Sequence, residues 1–114
     1  NSSCFRKVQN CLSFDHAKKG FDNNNSSCTA AFANCVAFDN GYNYYIEPFT
    51  LQLFTNIIGF SGKSKDKLPS GYSVTTPNAQ TQELIRRTVD STVNTIVSNC
   101  ERNQIREIYF NIYN

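Results

Sequence analysis

Apolar residues recur along the chain at intervals of three and four, and that spacing predicts helix in four stretches. Phe5, Val8, Cys11 and Leu12 form the first stripe, with Arg6, Lys7, Gln9 and Asn10 facing outward. Ser2 or Ser3 can cap this helix and Gly20 can stop it. A polar loop over 22–26 leads to a second helix, Cys28 to Phe38, with Ser26 or Ser27 as its cap. Its stripe is Ala31, Phe32, Cys35 and Val36, and Asp39-Asn40-Gly41 ends it. Gly41 to Ile46 reads as an aromatic connector, after which Pro48 suits the first position of a third helix. In Phe49 to Ile58 the apolar residues alternate at Phe49, Leu51 and Leu53, yet Leu51, Phe54, Ile57 and Ile58 recur as in a helix. Helices on both sides favour helix there. Gly59 to Thr76 is a polar connection longer than usual, which marks a functional or a mobile segment. Thr76-Pro77 then opens a long terminal helix with the stripe Leu84, Ile85, Val89, Val93, Ile96, Val97 and Cys100. It can continue through Ile105, Ile108, Tyr109 and Ile112. The expected fold is all-α, one domain over 1–114, a bundle of about four helices with an N-terminal helical hairpin and a long C-terminal helix. No internal repeat and no domain boundary emerges from this pattern.

The cysteines sharpen that expectation. Cys4 and Cys11 are seven residues apart, as are Cys28 and Cys35, and seven residues return to one helix face. In an antiparallel hairpin Cys4 pairs with Cys35 and Cys11 with Cys28, two disulfide rungs that staple the bundle. A tighter hairpin would place Cys11 opposite Cys35 instead, so nesting requires the first helix to end near Phe14. Zinc ligands come as cysteine pairs two to four residues apart, a spacing absent here, so no metal is expected. Cys100 is left over, a buried free thiol or a bridge to another chain, and burial is preferred.

Composition narrows the class. The chain has 114 residues, a net charge of +2 and no methionine or tryptophan. That charge is too small for a dedicated nucleic-acid binder, and no apolar run is long enough for a membrane-spanning helix. Five cysteines favour an oxidising, secreted setting, with the start removed by processing. Asn1, Asn24 and Asn25 each begin a glycosylation triplet.

Catalytic chemistry is not signalled. His16 is the single histidine, no phosphate-binding glycine loop or calcium loop occurs, and no cofactor is implied. Binding features are better represented. Lys63, Lys65 and Lys67 on the polar connection, followed by Tyr72, could steer association with an acidic surface. Tyr42, Tyr44 and Tyr45 offer interface anchors, or close one end of the bundle. Nine phenylalanines leave open a small helical carrier of lipid or another hydrophobic ligand.

A mildly basic, disulfide-linked helical chain of this length, with the Cys4/Cys11 and Cys28/Cys35 hairpin, the polar middle loop and the long last helix, resembles the anopheline salivary anophensin/albicin family. The resemblance implies an inhibitor of host plasma defence that acts by occlusion, and the chain is expected to be a monomer. Its partners would be components of the alternative complement convertase or, alternatively, contact-system (kallikrein–kinin) factors. It carries no functional residues over to this sequence.

Overall fold

The computed structural model describes residues 5–24, 28–48 and 52–99. The chain divides into two compact units, 1–77 and 78–114. The first unit is built of strands, which overturns the all-α expectation. In order these are β1 (Phe5–Gln9), β2 (Leu12–Phe14), β3 (Lys19–Asp22), β4 (Thr29–Phe38), β5 (Tyr42–Tyr45) and β6 (Gln52–Phe60). The second unit holds the helix α1 (Ala79–Asn99).

Among the described residues every strand pairing is parallel, and the pairing distance along the chain is nearly constant. Phe5 pairs with Thr29 and Leu12 with Val36, each 24 residues on. Lys19 pairs with Tyr42 after 23 residues, and Ala30 with Gln52 after 22. A bridge from Tyr45 to Lys67 carries the pattern past the last strand, and a second from Ile58 to Thr75 closes a shorter return. Parallel strands in register at a fixed period describe a β-solenoid, in which each coil lies on the one before it. One sheet is β1 and β2 on one side of β4 with β6 on the other; the second is β3 with β5. The polar connection expected to be functional or mobile is the return of the third coil: Lys67 N donates to Tyr44 O and Ile46 N to Lys67 O, both at 2.9 Å.

The sequence therefore does contain a repeat. Asn10-Cys11-Leu12-Ser13-Phe14-Asp15 becomes Asn34-Cys35-Val36-Ala37-Phe38-Asp39 and then Asn56-Ile57-Ile58-Gly59-Phe60-Ser61. The first and last residue of each motif has positive φ: 55°, 55° and 51° at the asparagines, 60°, 58° and 54° at Asp15, Asp39 and Ser61. Asparagine and aspartate tolerate this left-handed conformation better than most residues, and here it bends the strand twice per coil. The bend explains the misleading helical spacing. Inward positions alternate as Ala30 and Phe32, the left-handed Asn34 shifts the phase by one, and alternation resumes at Cys35 and Ala37. An interval of three between Phe32 and Cys35, like that between Phe54 and Ile57 or Val8 and Cys11, imitates a helix face.

Like residues stack on like. Phe14, Phe38 and Phe60 form one column, with centroids 5.4 and 5.0 Å apart and planes within 9°. Phe32 on Phe54 (5.2 Å) and Phe21 on Tyr44 (5.3 Å) form two more. Ala30, Phe32, Cys35, Ala37, Tyr44, Ile46 and Ile57 make up the buried centre.

The disulfide rungs are corrected too. Cys11 and Cys35 are free, so neither the Cys4–Cys35 nor the Cys11–Cys28 bridge exists, and the structure holds no helical hairpin for them to staple. Their register places Cys11 directly over Cys35, as equivalent positions of successive coils. The equal seven-residue spacings arise from this repetition. Cys4 and Cys100 lie outside the described residues, as do Asn1 and Asn25.

The terminal helix is present where its stripe predicts it. Asn78, rather than Thr76, caps it: its Oδ1 accepts from Thr81 N at 2.9 Å. Glu83 and Arg87, one turn apart, form an exposed ion pair at 2.9 Å. Leu84, Val93 and Ile96 are exposed.

Candidate functional site

The tyrosines in the connector become β5, and the strand sorts them by face. Tyr44 is fully buried, and its hydroxyl donates towards Ile58 O (2.8 Å) and Cys35 O (3.1 Å). Burial pushes its phenol well above the ordinary range. Tyr44 is a core residue that ties three coils together and cannot meet a partner. Tyr42 and Tyr45 point outward and pack edge to face, with centroids 4.9 Å apart.

Two lysines converge on that pair. Lys19 places its Nζ 3.9 Å from the Tyr45 ring centroid, and Lys67 places its own at 5.1 Å. Both distances lie within cation–π range. Register explains the convergence: Lys19 is the coil-one neighbour of Tyr42, and Lys67 is the coil-three neighbour of Tyr45. Lys67 also binds Glu47 Oε1 at 2.7 Å, and Lys19 lies 3.7 Å from Asp22 Oδ2. The hydrogen bond from Lys67 holds the Glu47 carboxyl below the usual carboxylate range and raises the lysine above its own. Lys67 is exposed and Glu47 half-buried, so water and salt still reach the pair and its contribution to stability is small.

Lys63 and Lys65 extend the positive strip along the same coil. They line a shallow depression with Asn43, Ser64, Asp66 and Thr76. Their backbone is fixed, since Lys63 N donates to Asn40 O at 3.0 Å and Ser64 N to Gly41 O at 2.7 Å. Tyr72 is elsewhere. It follows the turn Pro69–Tyr72, in which Gly71 supplies the positive φ of 92°, and its ring lies 4.8 Å from Phe54. Tyr72 thus closes the Phe32–Phe54 column at its C-terminal end.

The structure therefore joins Tyr42, Tyr45 and Lys67 in one face, sets Lys63 and Lys65 beside it, and removes Tyr44 and Tyr72 from it. Lys19 and Glu47 belong to the face and were missed from the sequence. The repeat offset of 23 residues, which sets Lys19 beside Tyr42, is the signal that finds Lys19.

Beneath the face, a buried asparagine pair fixes the corner. Asn40 accepts from His16 N at 2.9 Å and donates to Ser13 O at 3.1 Å and Asn43 Oδ1 at 3.0 Å; Asn43 donates to Phe60 O at 3.0 Å. These bonds span all three coils. The His16 side chain is exposed.

Comparisons with protein-family models, curated proteins and solved structures give no match. The site stands on its own geometry. Among the described residues no group of three His, Cys, Asp or Glu side chains is arranged to hold a metal, and no helix is long and apolar enough to cross a membrane.

Proposed function

We propose that this chain is a secreted, non-catalytic binding module whose contact surface is the Tyr42–Tyr45–Lys19–Lys67 face and whose partner presents acidic groups. The observation that carries this reading is the pair of ammonium groups over one tyrosine ring, with a second ring packed against it. Tyrosines with apolar bodies and polar tips anchor interfaces, and these two are already ordered before any partner arrives. Lys63 and Lys65 add a positive fringe that speeds encounter with an acidic surface.

The partner class implied by the resemblance, components of the complement convertase or contact-system factors, rests on a helical architecture. The β-solenoid removes that ground, so the partner is here identified by its charge alone. The lipid-carrier alternative for a helical bundle loses its scaffold in the same way.

The test is capture from blood plasma with the wild-type chain and with a Tyr42→Ala/Tyr45→Ala variant, followed by complement-lysis and contact-clotting assays on whatever is captured. Binding weaker by at least about tenfold in the variant, with an on-rate that falls as salt rises, is the expected result. Identical capture by both proteins would reject the face.

A further inference from the structure

The first coil departs from the other two at one inward position. Phe32 stacks on Phe54 and Tyr72 closes that column, but the residue in register above Phe32 is Val8. A β-branched side chain therefore stands where the repeat elsewhere carries a ring. The consequence is a cavity of about 280 Å³ in the first coil, between β1 and β4 on one side and β3 on the other. Val8, Phe21, Ala30 and Phe32 give it an apolar lining, with the Phe21 ring edge-on to Phe32 at 6.4 Å.

The rim is charged. Arg6 pairs in register with the inward-facing, buried Ala30, so it occupies an inward column, and it is exposed. Asp22, across the mouth, already has Lys19 at 3.7 Å and accepts from Asn24 N at 2.8 Å. The guanidinium is thus the group left to choose a ligand by charge.

We propose that this cavity binds an arylalkyl carboxylate, its ring stacked on Phe32 in continuation of the Phe32–Phe54–Tyr72 column and its carboxylate paired with Arg6. The volume suits this class, since an apolar cavity of about 150 Å³ takes benzene and the remainder admits a short acidic arm. Arginine favours carboxylates because its planar fork can hold both oxygens. The proposal is independent of the tyrosine–lysine face. The same chemistry is offered by a free small acid and by a phenylalanine at the C-terminus of a peptide.

Both sources can be titrated into the full chain and followed at the Val8 and Phe21 amides by NMR. The probes are 3-phenylpropionate, and acetyl-Ala-Ala-Phe with either a free or an amidated C-terminus. Saturable shifts with the free acids, weakened at least about tenfold by Arg6→Gln, are expected. Val8→Phe should abolish binding, because its ring fills the cavity and completes the column. Tighter binding of the free-acid peptide than of 3-phenylpropionate assigns the site to peptide ends; the reverse order assigns it to small acids. No saturable shift at millimolar ligand, equal affinity for the free and amidated peptides, or wild-type affinity in Arg6→Gln overturns the proposal. Arg6→Gln alters an exposed side chain, so it decides the matter even if Val8→Phe does not fold.

Discussion

Asp66 shows how one residue can be needed and costly together. Its Oδ1 accepts from Tyr44 N at 3.0 Å, which holds the third coil against β5, yet burial pushes its carboxyl above the usual range. The folded state therefore binds this proton more tightly than the unfolded chain does. Its contribution to stability is fully present below the ordinary carboxyl range, near pH 4, and is lost as pH rises through the raised folded value. Urea midpoints measured from about pH 3 to 7 should carry this decline in the wild type. Asp66→Asn keeps an acceptor at the same place and does not titrate, so that part of the pH dependence should vanish. An unchanged profile would mean that Asp66 is not the group responsible. Glu47 behaves oppositely: its lowered value adds stability above the ordinary carboxyl range, but its partner Lys67 is exposed and solvent screening leaves little to measure. Such distinctions were not legible in the sequence, where Tyr42, Tyr44 and Tyr45 differ only by position. Which of them is core follows from the corner at Asn40 and Asn43, which brings two successive residues, Asn43 and Tyr44, inside.

At the scale of the element, the asparagine column sets the bend and the stacking at once. Asn56 Nδ2 donates to Asn34 Oδ1 at 3.0 Å and Asn34 Nδ2 to Asn10 Oδ1 at 3.4 Å, while all three residues hold positive φ. Two substitutions separate these roles. Asn34→Gly keeps the backbone conformation and loses both amide bonds, so a cost of about 1 kcal/mol is expected. Asn34→Ala loses the bonds and also places a Cβ in the left-handed region, adding about 1–2 kcal/mol more. Chemical denaturation of the two variants measures the difference, and equal midpoints would show that the backbone conformation costs nothing. The same column marks the limit of what the sequence reveals. Asn-Cys-x-x-Phe-Asp occurs twice and Asn-Ile-Ile-Gly-Phe-Ser once, at offsets of 24 and 22, so the repeat was visible to a search for self-similarity. It was hidden from a search for periodicity, because one left-handed residue turns a two-residue alternation into intervals of three. Only α1, which has no such interruption, was placed correctly by its stripe.

For the molecule as a whole, a solenoid places its stability in contacts between neighbouring coils. Phe38 lies between Phe14 and Phe60 and is 3% exposed, whereas Phe14 has the stacked Phe38 on one side and is half-buried. Phe38→Ala should therefore cost about 3–5 kcal/mol and Phe14→Ala distinctly less, as read from thermal or urea unfolding. Equal losses would argue against this additive scheme. The candidate site follows the same rule: residues remote in sequence share a face because they hold equivalent places in successive coils, which is why Lys19, Tyr42 and Lys67 could not be grouped without the register. The constant offset also has a kinetic side. Nearly every sheet contact closes a loop of 22 to 24 residues, so each coil faces about the same entropic barrier as the last. No strand of β1 to β6 waits for a partner from the far end of the chain. As the polypeptide leaves the ribosome, β4 can settle on β1 and β2 before β6 has been made, and each finished coil becomes the template for the next. Assembly in the direction of synthesis is thus written into the spacing itself.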